Sequence, residues 1–424
     1  MIKILSLTIA YLLFVTFYSE AQVITNTDFS SASVKSVWFE KEGWRLAYPV
    51  IRLNSDEQIT LHFDVIESRE GSLWYKIIHC DRDWNNSDLF TSDYLEGFEE
   101  NQITGYVASF NTTVSYSHYS LTLPNDDIKF KISGNYIIVI YSPGEPDKPL
   151  LVRRFFVHEG STTATVIFRR PMIPGTTETD QQSEITISTG MLTVTDPYRE
   201  ITLSILQNGR WDMAKTNLRP DFVGSGKVEF NLLSDKTLFP GGNEFRFFDI
   251  KTIRQKRQNV RAIEYINGRY HIFLLPSEDR EYRQYFSNDD FNGKYWIAME
   301  ESDEPDRDAD YVYVYFTLPV TSEITGGSVY VTGAFADWSY GQLNRMTYNA
   351  SKGWYEAMIM LKQGWYNYEY AFVAEGSVVP EGEHFEGSHY ETENDYLILT
   401  YFRDPRQRYD RLTGVTIANT RGGK

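Results

Sequence analysis

Residues 73–141 read LWYKIIHCDRDWNNSDLFTSDYLEGFEENQITGYVASFNTTVSYSHYSLTLPNDDIKFKISGNYIIVIY. Three runs in this block, LWYKIIHC (73–80), HYSLTL (118–123) and NYIIVIY (135–141), concentrate β-branched and aromatic residues over strand-like lengths. The pattern continues on both sides, with QITLHFDVI (58–66) before the block and LLVRRFFVHE (150–159) after it. Between the last two runs, SPGEPDKP (142–149) holds three prolines and one glycine and reads as a hairpin loop. Short strands at this spacing predict an antiparallel β-sandwich over residues 22–159.

A second sandwich is expected over residues 160–275. Its candidate strands are TATVIFRR (163–170), EITISTGML (184–192), EITLSILQN (200–208), KVEFNLL (227–233) and EFRFFDIK (244–251). Residues 171–183 read as a loop, and PGGN (240–243) as a turn. Residues 276–310 mix KYWIAM with dense acidic sequence and read as a junction, the carboxylates at 300–310 forming a solvated linker. A third, E-set-like sandwich with a tail is expected over 311–424, opening on YVYVYFTLP (311–319). In WYNYEYAFV (365–373), Tyr366, Tyr368, Tyr370 and Phe372 share one face by period-2 geometry, as a core layer or a binding platform. The fold class is therefore all-β, built of tandem antiparallel Ig-like or E-set sandwiches.

The bulk numbers agree with that class and narrow the partners. A chain of 424 residues exceeds one ordinary core, and 15% aromatic residues favour pleated, half-buried surfaces. A net charge of -17 argues against a nucleic-acid partner, whose phosphates are bound by clustered Lys and Arg. Lys3, the apolar run from Ile4 to Tyr18 and Ser19-Glu20-Ala21 form a secretory signal pattern, so residues 1–21 are expected to be cleaved. Cys80 is the only cysteine, which rules out an intrachain disulfide, and none stands at the cleavage site to carry lipid. No later segment has the length and apolarity of a spanning helix, and a soluble periplasmic protein is expected.

Candidate chemistry reduces to structure. His79-Cys80-Asp81 resembles a nucleophile with its base, but adjacent strand residues point to opposite faces, so His79 and Cys80 diverge. Asp81-x-Asp83-x-Asn85 opens like a calcium loop, yet Asn86 and Ser92 stand where the loop requires Gly and Glu. A polar turn, with the aspartates accepting backbone N–H groups and Trp84 covering the domain edge, fits better. The histidines at 62, 79, 118, 158, 271, 384 and 389 show no zinc spacing, and Gly224-Ser225-Gly226 lacks the context of a hydrolase elbow. No catalytic residue, metal ligand or cofactor-binding residue is expected, and the protein reads as a binder without catalysis.

Two resemblances refine this. VYVTGAFADW (329–338), GWYEA (353–357) and LKQGWYNYEYAFV (361–373) resemble the glycogen-binding β-sandwich modules. In those modules the residue matching Trp338 stacks on sugar, but the expected lysine is Glu369 here and the second sugar-facing tryptophan falls at Val378. The block at 73–141, the preceding VWFEKEGWRLAYPVIRLNSDEQITLHFDV, and EGSHYETENDYLILTYFRDPRQRYDRLTG (386–414) resemble the type IX secretion system plug proteins. That resemblance implies a periplasmic plug that binds the translocon pore protein and is held at the outer membrane only through it, sealing the opening while no cargo is engaged. The alternative is a periplasmic glycan-binding protein using Trp338. For the plug, the long connection from Asp81 to Tyr106 is the expected partner contact, with Trp84, Tyr94 and Phe98 as its residues.

Overall fold

Gly134–Tyr141, the strand carrying NYIIVIY, is buried at all eight positions, and this fixes how the first two sandwiches stack. Ile138 and Ile140 point into one apolar cluster while Ile137, Val139 and Tyr141 point into another. A strand covered on both faces reads as a continuous apolar run, whereas a half-solvated one alternates. The computed structural model describes residues 27–66, 71–190, 192–230, 235–377, 379–381 and 383–422. The expected signal segment lies outside the described residues, as does Val378.

The first sandwich faces a six-stranded sheet against a four-stranded one. The larger sheet runs Phe29–Ser30, Pro149–His158, Gly134–Tyr141, Leu73–Cys80, Glu100–Ile103, with Val50–Arg52 added in parallel to Pro149–His158. The smaller runs Val34–Lys41, Ile59–Ile66, Tyr116–Leu123, Tyr106–Ala108. Ile59, Leu61, Phe63 and Val65 fill the space between them with Tyr136, Phe155 and Val157. The intervening residues of Ile59–Ile66, among them His62 and Asp64, therefore face away from that core.

The second sandwich pairs the sheet Thr163–Arg169, Asp180–Ser188, Lys227–Phe230, Phe222–Gly224 with the sheet Lys215–Leu218, Ile201–Gln207, Asp395–Phe402, Arg411–Asn419. Its last two strands come from the C-terminal end, which the sequence division placed with the third unit. The reason is burial: Asp395–Phe402 carries YLILTYF, buried at seven of its eight positions. Tyr396, Ile398 and Phe402 fill the second core, while Leu397, Leu399 and Tyr401 meet Ile137, Val139 and Phe156 of the first sandwich. The loop expected at 171–183 is also shorter, because Asp180–Ser188 includes buried Gln181 and Gln182. The Gln181 side-chain amide donates to the carbonyls of Tyr390 and Thr392 at 2.8 and 2.7 Å, which makes a polar residue tolerable inside.

The third sandwich combines Arg246–Asp249, Tyr295–Ile297, Gly327–Thr332 and Gly364–Ala374 with a five-stranded sheet from Val260–Ile266 to Thr347–Asn349. EFRFFDIK thus pairs with Gly364–Ala374 rather than closing the second sandwich. Tyr366, Tyr368, Tyr370 and Phe372 form a buried layer of this core, not an exposed platform.

Candidate interaction surface and interdomain junctions

The connection from Asp81 to Tyr106 divides into a buried base and an exposed tip. At its start Asp81 Oδ1 accepts the backbone N–H groups of Asp83 and Asn85, both at 2.9 Å, closing a polar turn. The turn puts Trp84 at φ 66° and drives its ring inward against Phe156 and Trp211. The Arg154 guanidinium packs against the two perpendicular indoles, 4.7 Å from the Trp84 ring and 4.6 Å from Trp211. Trp84 therefore joins the first sandwich to the second rather than facing a partner. Tyr94 is likewise interior, its hydroxyl donating to the carbonyl of Ile77 at 3.2 Å. Of the three expected contact residues only Phe98 is open, at 74% exposure, and sequence reasoning missed Phe90, which is 75% exposed. Asp88, Glu96, Glu99 and Glu100 are exposed along the same connection.

Charged and aromatic clamps hold the three sandwiches together. Between the first and second, Arg411 grips Glu159 at 2.7 Å and Asp410 accepts the Arg82 backbone N–H at 3.2 Å. Between the first and third, Arg153 donates to both oxygens of Asp337 at 2.8 Å, and Ser30 Oγ reaches the same carboxylate at 3.1 Å. Deeper in that junction Lys362 Nζ lies 2.7 Å from Asp64 Oδ2, both side chains fully buried. Asp64 also accepts from Tyr311 and His118, each at 2.7 Å. Burial pushes the Asp64 carboxyl up, but Lys362 and His118 overcome this and hold it below the usual carboxylate range. All three sandwiches line a cavity of about 190 Å³ that includes Tyr48, Asn208 and Trp338. Lys294 there donates to the Leu46 carbonyl at 2.6 Å, and burial lowers its pKa to about 8.

The second and third sandwiches meet on Trp338. The Arg210 guanidinium covers one face of its indole at 4.3 Å, and Phe245 packs against it edge-on. Arg210 is fixed in turn by Glu369 at 2.7 Å and Asp212 at 2.8 Å. Gly293, at φ 80°, makes room for the ring, since a Cβ there would stand 2.3 Å from Trp338 Cη2. One face of the ring is thus occupied by an arginine, and Glu369 serves that arginine.

The residues that suggested catalysis are locked into structure. Burial lowers the His79 pKa to about 4 and raises that of Cys80 to about 12, leaving a neutral imidazole and an unreactive thiol. His79 Nδ1 lies 2.9 Å from Ser87 Oγ, and Nε2 3.3 Å from the Ser133 carbonyl. Asp83 and Arg82 meet Asn217 of the second sandwich, so the calcium-like turn is spent on an interdomain contact.

Comparison with known proteins places this arrangement. A family model described as the type 9 secretion system plug protein 1st domain matches residues 34–159, from the strand Val34–Lys41 to just past Pro149–His158. The crystal structure of a hypothetical protein from Parabacteroides merdae ATCC 43184 is 32% identical, with a TM-score of 0.89, over 93% of this chain and 98% of that one. No curated protein matches the chain.

Proposed function

Because the chain belongs to the type 9 secretion system plug protein family, we propose that it binds the periplasmic opening of the outer-membrane translocon and limits leakage while no cargo is engaged. The family points to a non-catalytic structural protein with a plug-like role in type IX secretion and to a periplasmic location. A plug must resist deformation, because a body that flexes at its joints leaves a gap. Clamps built on Asp64–Lys362, Arg153–Asp337 and the packing of Arg154 against Trp84 and Trp211 supply that resistance at the joints of the first sandwich.

The observation that carries the reading is the division within the connection from Asp81 to Tyr106. Trp84 and Tyr94 anchor it to the body, and Phe90 and Phe98 stand exposed among carboxylates. Exposed aromatics on an anchored loop are suited to filling pockets on a partner, with the acidic rim steering the approach to a basic surface. Pull-down of the mature protein from membrane extracts lacking cargo tests this. Recovery of the translocon pore protein by the native chain, weakened by Phe98→Ala, is expected; recovery of no translocon component contradicts the proposal.

A further inference from the structure

We propose that His62 Nδ1, His118 Nε2 and the Asp306 carboxylate form a divalent transition-metal site, matched best to Zn2+, that staples the first sandwich to the segment entering the third. The three residues come from Ile59–Ile66, Tyr116–Leu123 and the short helix Pro305–Asp308. In the strand register Asp64 stands opposite His118 and His62 opposite Ser120, so His62, Asp64 and His118 share the sheet face turned away from the first core. Helix Pro305–Asp308 lies over that face, tied down by a Lys362 bond to the Asp306 carbonyl at 2.9 Å.

The donor atoms are oriented for a cation. The Asp64 carboxylate, 2.7 Å from Lys362 Nζ, accepts a hydrogen bond from His118 Nδ1 at 2.7 Å, an arrangement in which His118 Nε2 presents a lone pair. A carboxylate behind a ligating imidazole is the usual support of a zinc-bound histidine. That Nε2 lies 3.3 Å from His62 Nδ1 and 3.7 Å from Asp306 Oδ2. The three ligand atoms all lie within 4.8 Å of one another. Zn–N bonds of about 2.05 Å at tetrahedral angles separate two ligand atoms by about 3.3 Å, whereas octahedral neighbours stand about 2.9 Å apart. The His62–His118 spacing of 3.3 Å equals the tetrahedral value, and Asp306 Oδ2, 3.7 Å from His118 Nε2, would close in by a few tenths of an ångström on binding. Two imidazoles and one carboxylate leave a fourth position for water, a borderline-soft donor set.

Two further observations favour occupancy. Asp306 Oδ1 is buried with no hydrogen-bond partner, an arrangement that costs free energy unless something compensates its charge. His62 is stacked on Trp38 at 4.7 Å, which fixes its ring with Nδ1 turned to His118 Nε2. Spacing in the sequence did not suggest zinc because the two histidines lie on separate strands and the carboxylate enters from a third element.

The test uses untagged, chelator-stripped mature protein titrated with Co2+ as the optical probe. One Co2+ per chain is expected, with visible bands of tetrahedral intensity that Zn2+ displaces, and Zn2+ should raise the melting temperature. His62→Ala and Asp306→Asn should each weaken binding at least about tenfold, and His384→Ala should leave it unchanged. Asp306 is partly exposed, so its variant is expected to fold, as checked by circular dichroism. Absence of stoichiometric binding by the native chain, bands of octahedral weakness, or bands that survive in both ligand variants would overturn the proposal.

Discussion

Replacing Lys362 by methionine tests whether the junction between the first and third sandwiches is held as described. The Lys362 and Asp64 side chains are both fully buried at 2.7 Å, so removing the ammonium leaves a carboxylate in the interior. Breaking such a pair costs about 3–5 kcal/mol. Asp64 keeps Tyr311 and His118 as donors, each at 2.7 Å, which places the expected loss near the lower end, about 3 kcal/mol. With a urea slope of about 3 kcal/mol/M, the unfolding midpoint falls by about 1 M. The double variant Asp64→Asn, Lys362→Met removes the stranded charge and should recover at least half of that loss. Urea unfolding followed by tryptophan fluorescence measures Lys362→Met, Asp64→Asn and the double variant against the native chain. A single-variant cost under about 1 kcal/mol, or a double variant as damaged as the sum of its singles, would refute the reasoning.

The remaining predictions divide between stability and binding. Trp84→Ala should cost about 3–5 kcal/mol in the same unfolding assay, because it empties the contact with Phe156, Trp211 and Arg154, whereas exposed Phe98→Ala should stay within about 0.5 kcal/mol. Burial pushes the Glu386 carboxyl up, but Arg246 and Arg280, each with Nε at 2.9 Å from it, hold it at about 2, well below its ordinary 4.5. A depressed carboxylate stabilises the fold fully above its unfolded pKa, so about 3 kcal/mol should be lost as pH falls from about 4.5 to about 2, and Glu386→Gln should flatten that dependence in acid titration. In affinity electrophoresis on α-glucans, neither the native chain nor Trp338→Ala should be retarded; a Trp338-dependent shift would show that Arg210 yields its place to sugar.

Strand identity was legible because side-chain periodicity is local. YVYVYFTLP becomes the strand Tyr311–Pro319, and the ITLHFDVI run becomes Ile59–Ile66 with its apolar residues inward. What a buried run packs against is not local. NYIIVIY and YLILTYF each announce double burial, but nothing in either states that their outer faces pack on each other, which is how the C-terminal strands come to close the second sandwich. The polar face of Ile59–Ile66 looks solvated in sequence, and only the fold brings Lys362, Tyr311 and Asp306 onto it. Trp84, Tyr94 and Phe98 looked alike as aromatics in a polar connection. Their burial is decided by the left-handed turn at Trp84 and the Tyr94 bond to Ile77, neither of which composition encodes.

The most direct test of the central claim is site-specific photo-crosslinking in cells, with the photoreactive residue in place of Phe98. The account predicts a covalent adduct with the translocon pore protein that forms when the pore lacks cargo and declines when cargo is engaged. Adducts with no translocon component, in cells where the protein is folded and the translocon is present, would contradict it.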